Sequence, residues 1–144
     1  MNQPFCLRCK TVPLVEIEPA GGEVAFFECT VCRRHYALKP GRGLTFRWLH
    51  PISIALYSVQ FEESPVGRAA GVAATLVQER PADQLELFAR EIRLELEEPT
   101  QQVRDILDNP CSEGELREYL RLVAEGIEAS LTARRPPTVG GGEV

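Results

Sequence analysis

Long hydrophobic runs are missing from this chain. Its most apolar stretch, residues 49–61, is broken by His50, Ser53, Ser58 and Gln60 and stopped by Glu62 and Glu63. A membrane-spanning helix needs roughly 20 mostly apolar residues, so no membrane partner is expected. No basic-then-apolar segment precedes the first cysteine, which argues against secretion and makes the cytoplasm the expected compartment. There is no Gly-rich phosphate loop, no Gly-x-Ser-x-Gly elbow and no histidine beside a nucleophile. The sequence therefore offers no catalytic residues, and the expectation is a protein that is not an enzyme. No repeat of 20–50 residues is visible.

What is present is a chain of 144 residues, 44% apolar and 26% charged, the composition of a globular protein rather than a disordered tail. Its net charge of −5 argues against a generally basic nucleic-acid coat. That total hides a split. Residues 1–50 carry seven basic and four acidic side chains, formally +3, and residues 51–144 carry nine and seventeen, formally −8. Two regions of different chemistry are implied.

The first forty residues read as short strands and turns. Val12, Leu14, Val15 and Ile17 form one β-prone run and residues 23–28 another, with the turn signal Ala20, Gly21, Gly22 between them. Residues 35–38 are a third strand candidate, and residues 44–48 a fourth strand or an extended connector. From about residue 50 the period turns helical. Pro51 suits the first position of a helix that places Ile52, Leu56 and Val59 on one face. Residues 66–79 read as a helix weakened by Gly67 and Gly71. Leu85, Phe88, Ile92 and Leu96 form the stripe of the next helix, which Pro99 ends. Glu86, Glu91, Glu95 and Glu98 lie away from that stripe and read as a solvated face. Val103, Ile106 and Leu107 predict a short amphipathic helix. Ser112 and Glu115 fit a capping box ahead of a last helix whose buried stripe is Leu116, Tyr119, Leu120, Val123, Ile127 and Leu131.

The chemistry lies in four cysteines. Cys6 and Cys9 are separated by two residues, as are Cys29 and Cys32, with nineteen residues between the pairs. That spacing is the one read as a zinc site. Two thiolates two residues apart can point inward from one tight turn, and two such turns complete a tetrahedron. Two unrelated pairs of buried thiols, or a redox Cys-x-x-Cys, are the alternatives. The paired knuckles, the hairpin between them and the aromatic strand of Phe26 and Phe27 entering the second knuckle resemble the zinc-ribbon family over residues 4–39. The resemblance implies that Cys6, Cys9, Cys29 and Cys32 bind one structural Zn²⁺ per chain, with no open coordination position. Ribbons often place glycine directly after a knuckle's second cysteine, whereas this chain has Lys10 and Arg33 there; this weakens an iron-binding, rubredoxin-like reading and leaves the zinc reading intact. His35 and His50 have no identifiable partner, and Cys111 reads as a small residue beside a helix cap.

The expected fold is α+β: a small N-terminal β zinc ribbon over residues 1–43, an α-helical domain of four to five helices over 44–133, and a disordered tail over 134–144. Two binding roles follow. The first is an adaptor that docks a protein partner. The second assigns nucleic-acid binding to Arg33, Arg34, Lys39, Arg42 and Arg47, with Tyr36, Phe46 or Trp48 to stack on bases. Trp48 is more readily placed between ribbon and helices. The acidic remainder ranks the protein partner first, and a homo-oligomer is compatible with either role.

Overall fold

The computed structural model describes residues 3–18, 24–39, 41, 43–107 and 109–134. The Ala20-Gly21-Gly22 turn, Arg42 and the tail from residue 135 lie outside the described residues. Four strands, β1 (Val15–Glu18), β2 (Ala25–Glu28), β3 (His35–Lys39) and β4 (Gly43–Phe46), form one antiparallel sheet in the order β1-β2-β3-β4. Short segments rich in aromatic and β-branched residues favour this pleated arrangement. Tyr36 stands opposite Phe27 on one side and Phe46 on the other. Its ring stacks on that of Phe46 at 5.6 Å between centroids. The fourth strand is thus an integral part of the sheet, which runs past the expected boundary at 43/44 to Phe46.

Four helices follow: α1 (Pro51–Tyr57), α2 (Ala69–Glu79), α3 (Ala82–Glu97) and α4 (Glu113–Arg134). The α+β architecture and the helix count agree with the sequence expectation. Pro51 occupies the start of α1, and the His50 ring caps it, Nδ1 accepting from the Ile52 N–H at 3.1 Å. The capping box at α4 is formed: the Glu115 N–H donates to the Ser112 hydroxyl at 3.2 Å, and the Ser112 N–H to the Glu115 carboxylate at 3.1 Å. The expected helix at 103–107 is a single 3₁₀ turn over Val103–Asp105, with Val103 and Ile106 buried. Its free Val103 and Arg104 N–H groups donate to the Glu113 carboxylate at 2.8 and 3.0 Å.

Helix α4 is the spine of the helical layer, packing on α2, α3 and α1. Leu116, Tyr119, Leu120, Val123 and Ile127 are all fully buried, as their spacing predicts. The Tyr119 hydroxyl donates to the Ala55 carbonyl at 2.6 Å, so its burial leaves no polar atom unsatisfied. Helices α2 and α4 approach closely at Ala73 and Gly126, where a Cβ on Gly126 would lie 2.7 Å from that of Ala73. None of the described helices is long and apolar enough to cross a membrane.

A single core runs through both regions, from Leu14, Tyr36 and Phe46 of the sheet to Ile52, Leu56 and the stripes of α2, α3 and α4. The joint between them is made by Phe46, whose ring lies 3.7 Å from that of His50 and nearly parallel to it. Trp48 does not serve this purpose: it is 62% exposed. The expectation that it wedges ribbon against helices is corrected by the register of β4, which directs Phe46 inward two residues earlier.

Candidate metal centre

Each knuckle is a tight turn closed by its own backbone. The Lys10 N–H donates to the Cys6 carbonyl at 2.8 Å, and the Arg33 N–H to the Cys29 carbonyl at 2.9 Å. Lys10 and Arg33 both adopt left-handed backbone, with φ of 69° and 65°. The positions where ribbons often carry glycine therefore keep the glycine-type conformation with longer side chains. Within each turn a backbone N–H points at sulfur: Cys9 N–H to Cys6 Sγ at 3.3 Å, and Cys32 N–H to Cys29 Sγ at 3.4 Å.

The four sulfurs converge. Cys6 Sγ lies 3.6 Å from Cys32 Sγ, Cys29 Sγ lies 3.8 Å from Cys9 Sγ, and all four fall within 4.8 Å of one another. A tetrahedron with metal–sulfur bonds of about 2.3 Å has sulfur–sulfur edges of about 3.8 Å. The spacing fits a four-thiolate ion site and is far too long for disulfides, which need about 2.05 Å. Cys6 and Cys29 are buried, Cys9 and Cys32 partly so.

The thiols themselves call for a cation. Burial opposes ionisation of Cys6, but the Tyr36 hydroxyl at 3.3 Å and the backbone N–H groups of Cys9 and Arg8 draw it down to about 7. Burial and the neighbouring sulfurs of Cys29 and Cys32 push Cys9 up to about 12. Four adjacent thiols cannot all ionise alone, and a bound dication reverses that balance. Tyr36 is fully buried and has its hydroxyl proton to give to sulfur, which makes it the outer partner that orients Cys6.

Two arginines beside the cysteines tie this centre to α3. Arg8, inside the first knuckle, bonds Glu95 at 2.8 Å. Arg34, two residues after the second knuckle, forms a two-pronged pair with Glu91 at 2.7 and 2.6 Å. Glu91 and Glu95 are one helical turn apart, so both face the ribbon. The expectation that they form a solvated face is overturned: Glu91 is 7% exposed and Glu95 1%. Their surroundings satisfy them. Glu95 also accepts from the backbone N–H groups of Thr100 and Gln101 at 2.6 and 3.3 Å. Glu91 also accepts from His50 Nε2 at 3.0 Å, and since His50 Nδ1 is already an acceptor, Nε2 must carry the proton. Burial works against the Glu91 charge, yet His50 and Arg34 outweigh it and hold the carboxyl down at about 2. Burial lowers the His50 pKa, so the ring stays neutral. Arg34 also acts electrostatically on Cys32, and a hydrogen-bonded chain runs from Arg34 through Glu91 and His50 to the start of α1.

The remaining candidates separate. His35 begins β3 and lies 3.6 Å from Glu28, outside the sulfur cluster. Cys111 is buried, its thiol donating to the Glu62 carbonyl at 3.3 Å, and burial pushes its pKa up. Of the basic residues in the nucleic-acid reading, Arg34 is committed to Glu91, and the Arg47 guanidinium lies 4.1 Å from the Phe26 ring centroid. Arg33 is 72% exposed, with Glu28 at 3.4 Å. Arg33, Arg34 and Arg47 share the lining of one open cleft of about 670 Å³ with Arg90 of α3; Lys39 is not part of it. The sequence pointed to the four cysteines but not to Arg8, Glu91 or Glu95 beside them, and it offered Tyr36 and Phe46 as base-stacking rings, whereas both are buried.

Comparison of the chain with family models, with curated proteins and with solved structures finds no match.

Proposed function

We propose that this chain is a non-catalytic zinc-binding module of the cytoplasm that works by docking a partner protein, with one structural Zn²⁺ held by Cys6, Cys9, Cys29 and Cys32. Zinc is favoured by the donor set, since four thiolates in a tetrahedron suit it and leave no position for activating water. The observation that carries the docking role is the surface segment between sheet and helices. Trp48 and Leu49 are 62% and 58% exposed. The turn holding them is fixed by the Arg47 N–H on the His35 carbonyl at 3.1 Å and the His50 N–H on the Arg47 carbonyl at 2.9 Å. A large aromatic held rigidly at a surface is the usual anchor of a protein interface. Meanwhile Arg8 and Arg34 spend their charge internally.

A second reading, nucleic-acid binding, is favoured by Arg33 and Arg47 lining one cleft. Two measurements separate them. Elemental analysis should give one zinc per chain, absent from the Cys6→Ser, Cys29→Ser variant; stoichiometric metal in that variant removes the zinc assignment. Photocrosslinking from position 48 in cells of the native source should give a discrete protein adduct. A gel shift with single- and double-stranded DNA and RNA at about 0.15 M salt should stay negative. Micromolar binding lost in an Arg33→Ala, Arg47→Ala variant would replace the protein reading with the nucleic-acid one.

A further inference from the structure

The cleft beside the second knuckle is lined by Arg33, Arg34 and Arg47 ahead of α1, by Leu87 and Arg90 of α3, and by Leu49. Its volume of about 670 Å³ lies in the range of ligand-sized clefts, about 300–1,000 Å³. Among the described residues Glu91 is the one carboxylate in its lining, and Arg34 and His50 already hold it. Arg34 is cancelled by Glu91, and Arg33 and Arg90 are the exposed positive charges of the lining on a chain that is acidic overall. The Arg33–Glu28 contact is solvent-exposed at 3.4 Å and offsets little of that charge. Leu49 is 58% exposed and Leu87 38%, so apolar surface is presented right beside that charge.

We propose that this cleft is the docking groove for an acidic segment of the partner protein, with Asp or Glu side chains against Arg33 and Arg90 and an aliphatic side chain against Leu49 and Leu87. The inference rests on the protein-docking reading and specifies its partner. Charge complementarity selects an acidic occupant, and Leu49 and Leu87 select one that also carries an aliphatic residue. A single strand of nucleic acid fits less well. Stacking of bases needs aromatic rings along the groove, and among the described lining residues the rings are the imidazoles of His35 and the buried His50, beside the aliphatic Leu49 and Leu87. The formal −8 of residues 51–144 opposes a long polyanion but not a short segment.

The test uses the full zinc-loaded chain. A random phage-displayed peptide library is panned in parallel on the wild type and on an Arg33→Glu, Arg90→Glu variant, whose exposed positions should leave the melting temperature unchanged. The expected result is enrichment of sequences pairing Asp or Glu with Leu, Ile or Val on the wild type alone. The corresponding labelled peptide should bind the variant at least about tenfold more weakly and lose affinity as salt rises. A Leu87→Ala variant should also weaken it while keeping the salt dependence. Enriched peptides that are not acidic, or that bind the double variant equally well, overturn the groove while the protein-docking reading stands. Failure to enrich any peptide overturns the groove, and if single-stranded RNA or DNA then binds the wild type and not the variant, the docking reading falls with it.

Discussion

At the scale of single residues, the knuckles show how a side chain can be tolerated where glycine is the easy choice. Lys10 sits at φ 69°, a conformation that costs an ordinary residue roughly 1–2 kcal/mol and glycine almost nothing. A β-branched residue there is the worst fit. Lys10→Gly should therefore leave the thermal midpoint of the zinc-loaded protein unchanged or slightly higher, while Lys10→Val should lower it; equal midpoints for the two variants would mean the turn relaxes. Glu95 presents the opposite case, a buried charge whose worth lies in being fully paired. Removing it strands Arg8 and the N–H groups of Thr100 and Gln101. Glu95→Ala should cost about 3–5 kcal/mol in urea unfolding, the typical result of breaking a buried pair. A loss below about 1 kcal/mol would show that water replaces the carboxylate. Only Lys10 was marked in the sequence, as standing where ribbons often carry glycine. Glu95 sits at a polar position of an amphipathic helix, where carboxylates ordinarily face water.

At the scale of elements, legibility followed periodicity. The α4 stripe and its capping box could be read directly, because both are set by spacings within one segment. So could the β-prone runs and Pro51 at the start of α1. What failed was whatever depends on a contact distant in sequence. Arg8 and Glu95 are 87 positions apart, and no local pattern joins them. The close approach of α2 and α4 belongs to the same group. Small residues in 66–79 were visible, but the glycine that permits contact is Gly126 of α4, not Gly71 of α2. A Cβ on Gly126 would collide with Ala73 at 2.7 Å, whereas one on Gly71 meets nothing within 4 Å. Alanine gains roughly 1 kcal/mol over glycine inside a helix, and overpacking costs about 1–3 kcal/mol. Gly71→Ala should accordingly raise the melting temperature and Gly126→Ala lower it. Stabilisation by both would mean that the helices separate at little cost.

At the scale of the whole molecule, charge suggested two regions divided at residue 50, with a domain boundary expected at 43/44, yet the described residues are tied together in two ways. Apolar packing is continuous from Leu14, Tyr36 and Phe46 into Ile52, Leu56 and the helices. Polar ties run from both knuckles to one face of α3, through Arg8–Glu95 and Arg34–Glu91. The charge split along the sequence is partly resolved by these pairs, because ribbon cations meet helix anions across the joint. The metal centre is therefore placed to govern more than its own strands. On the proposed zinc reading, a four-cysteine unit of this size depends on its ion for folding. If the ion leaves, Arg8 and Arg34 lose their fixed positions, and Glu91 and Glu95 lose their buried cationic partners, keeping only His50 and the Thr100 and Gln101 donors, which is unfavourable. Removal of zinc by a chelator, or the Cys29→Ser substitution, should then abolish hydrogen-exchange protection in β1 to β4. It should also reduce protection in α3 around residues 88–97, while the contact of α2 with α4 persists. Mass-spectrometric exchange on zinc-loaded and stripped protein reads all three segments at once. Loss confined to the sheet, with α3 as protected as before, would mean that α4 alone holds α3 and that the arginine pairs only orient the ribbon.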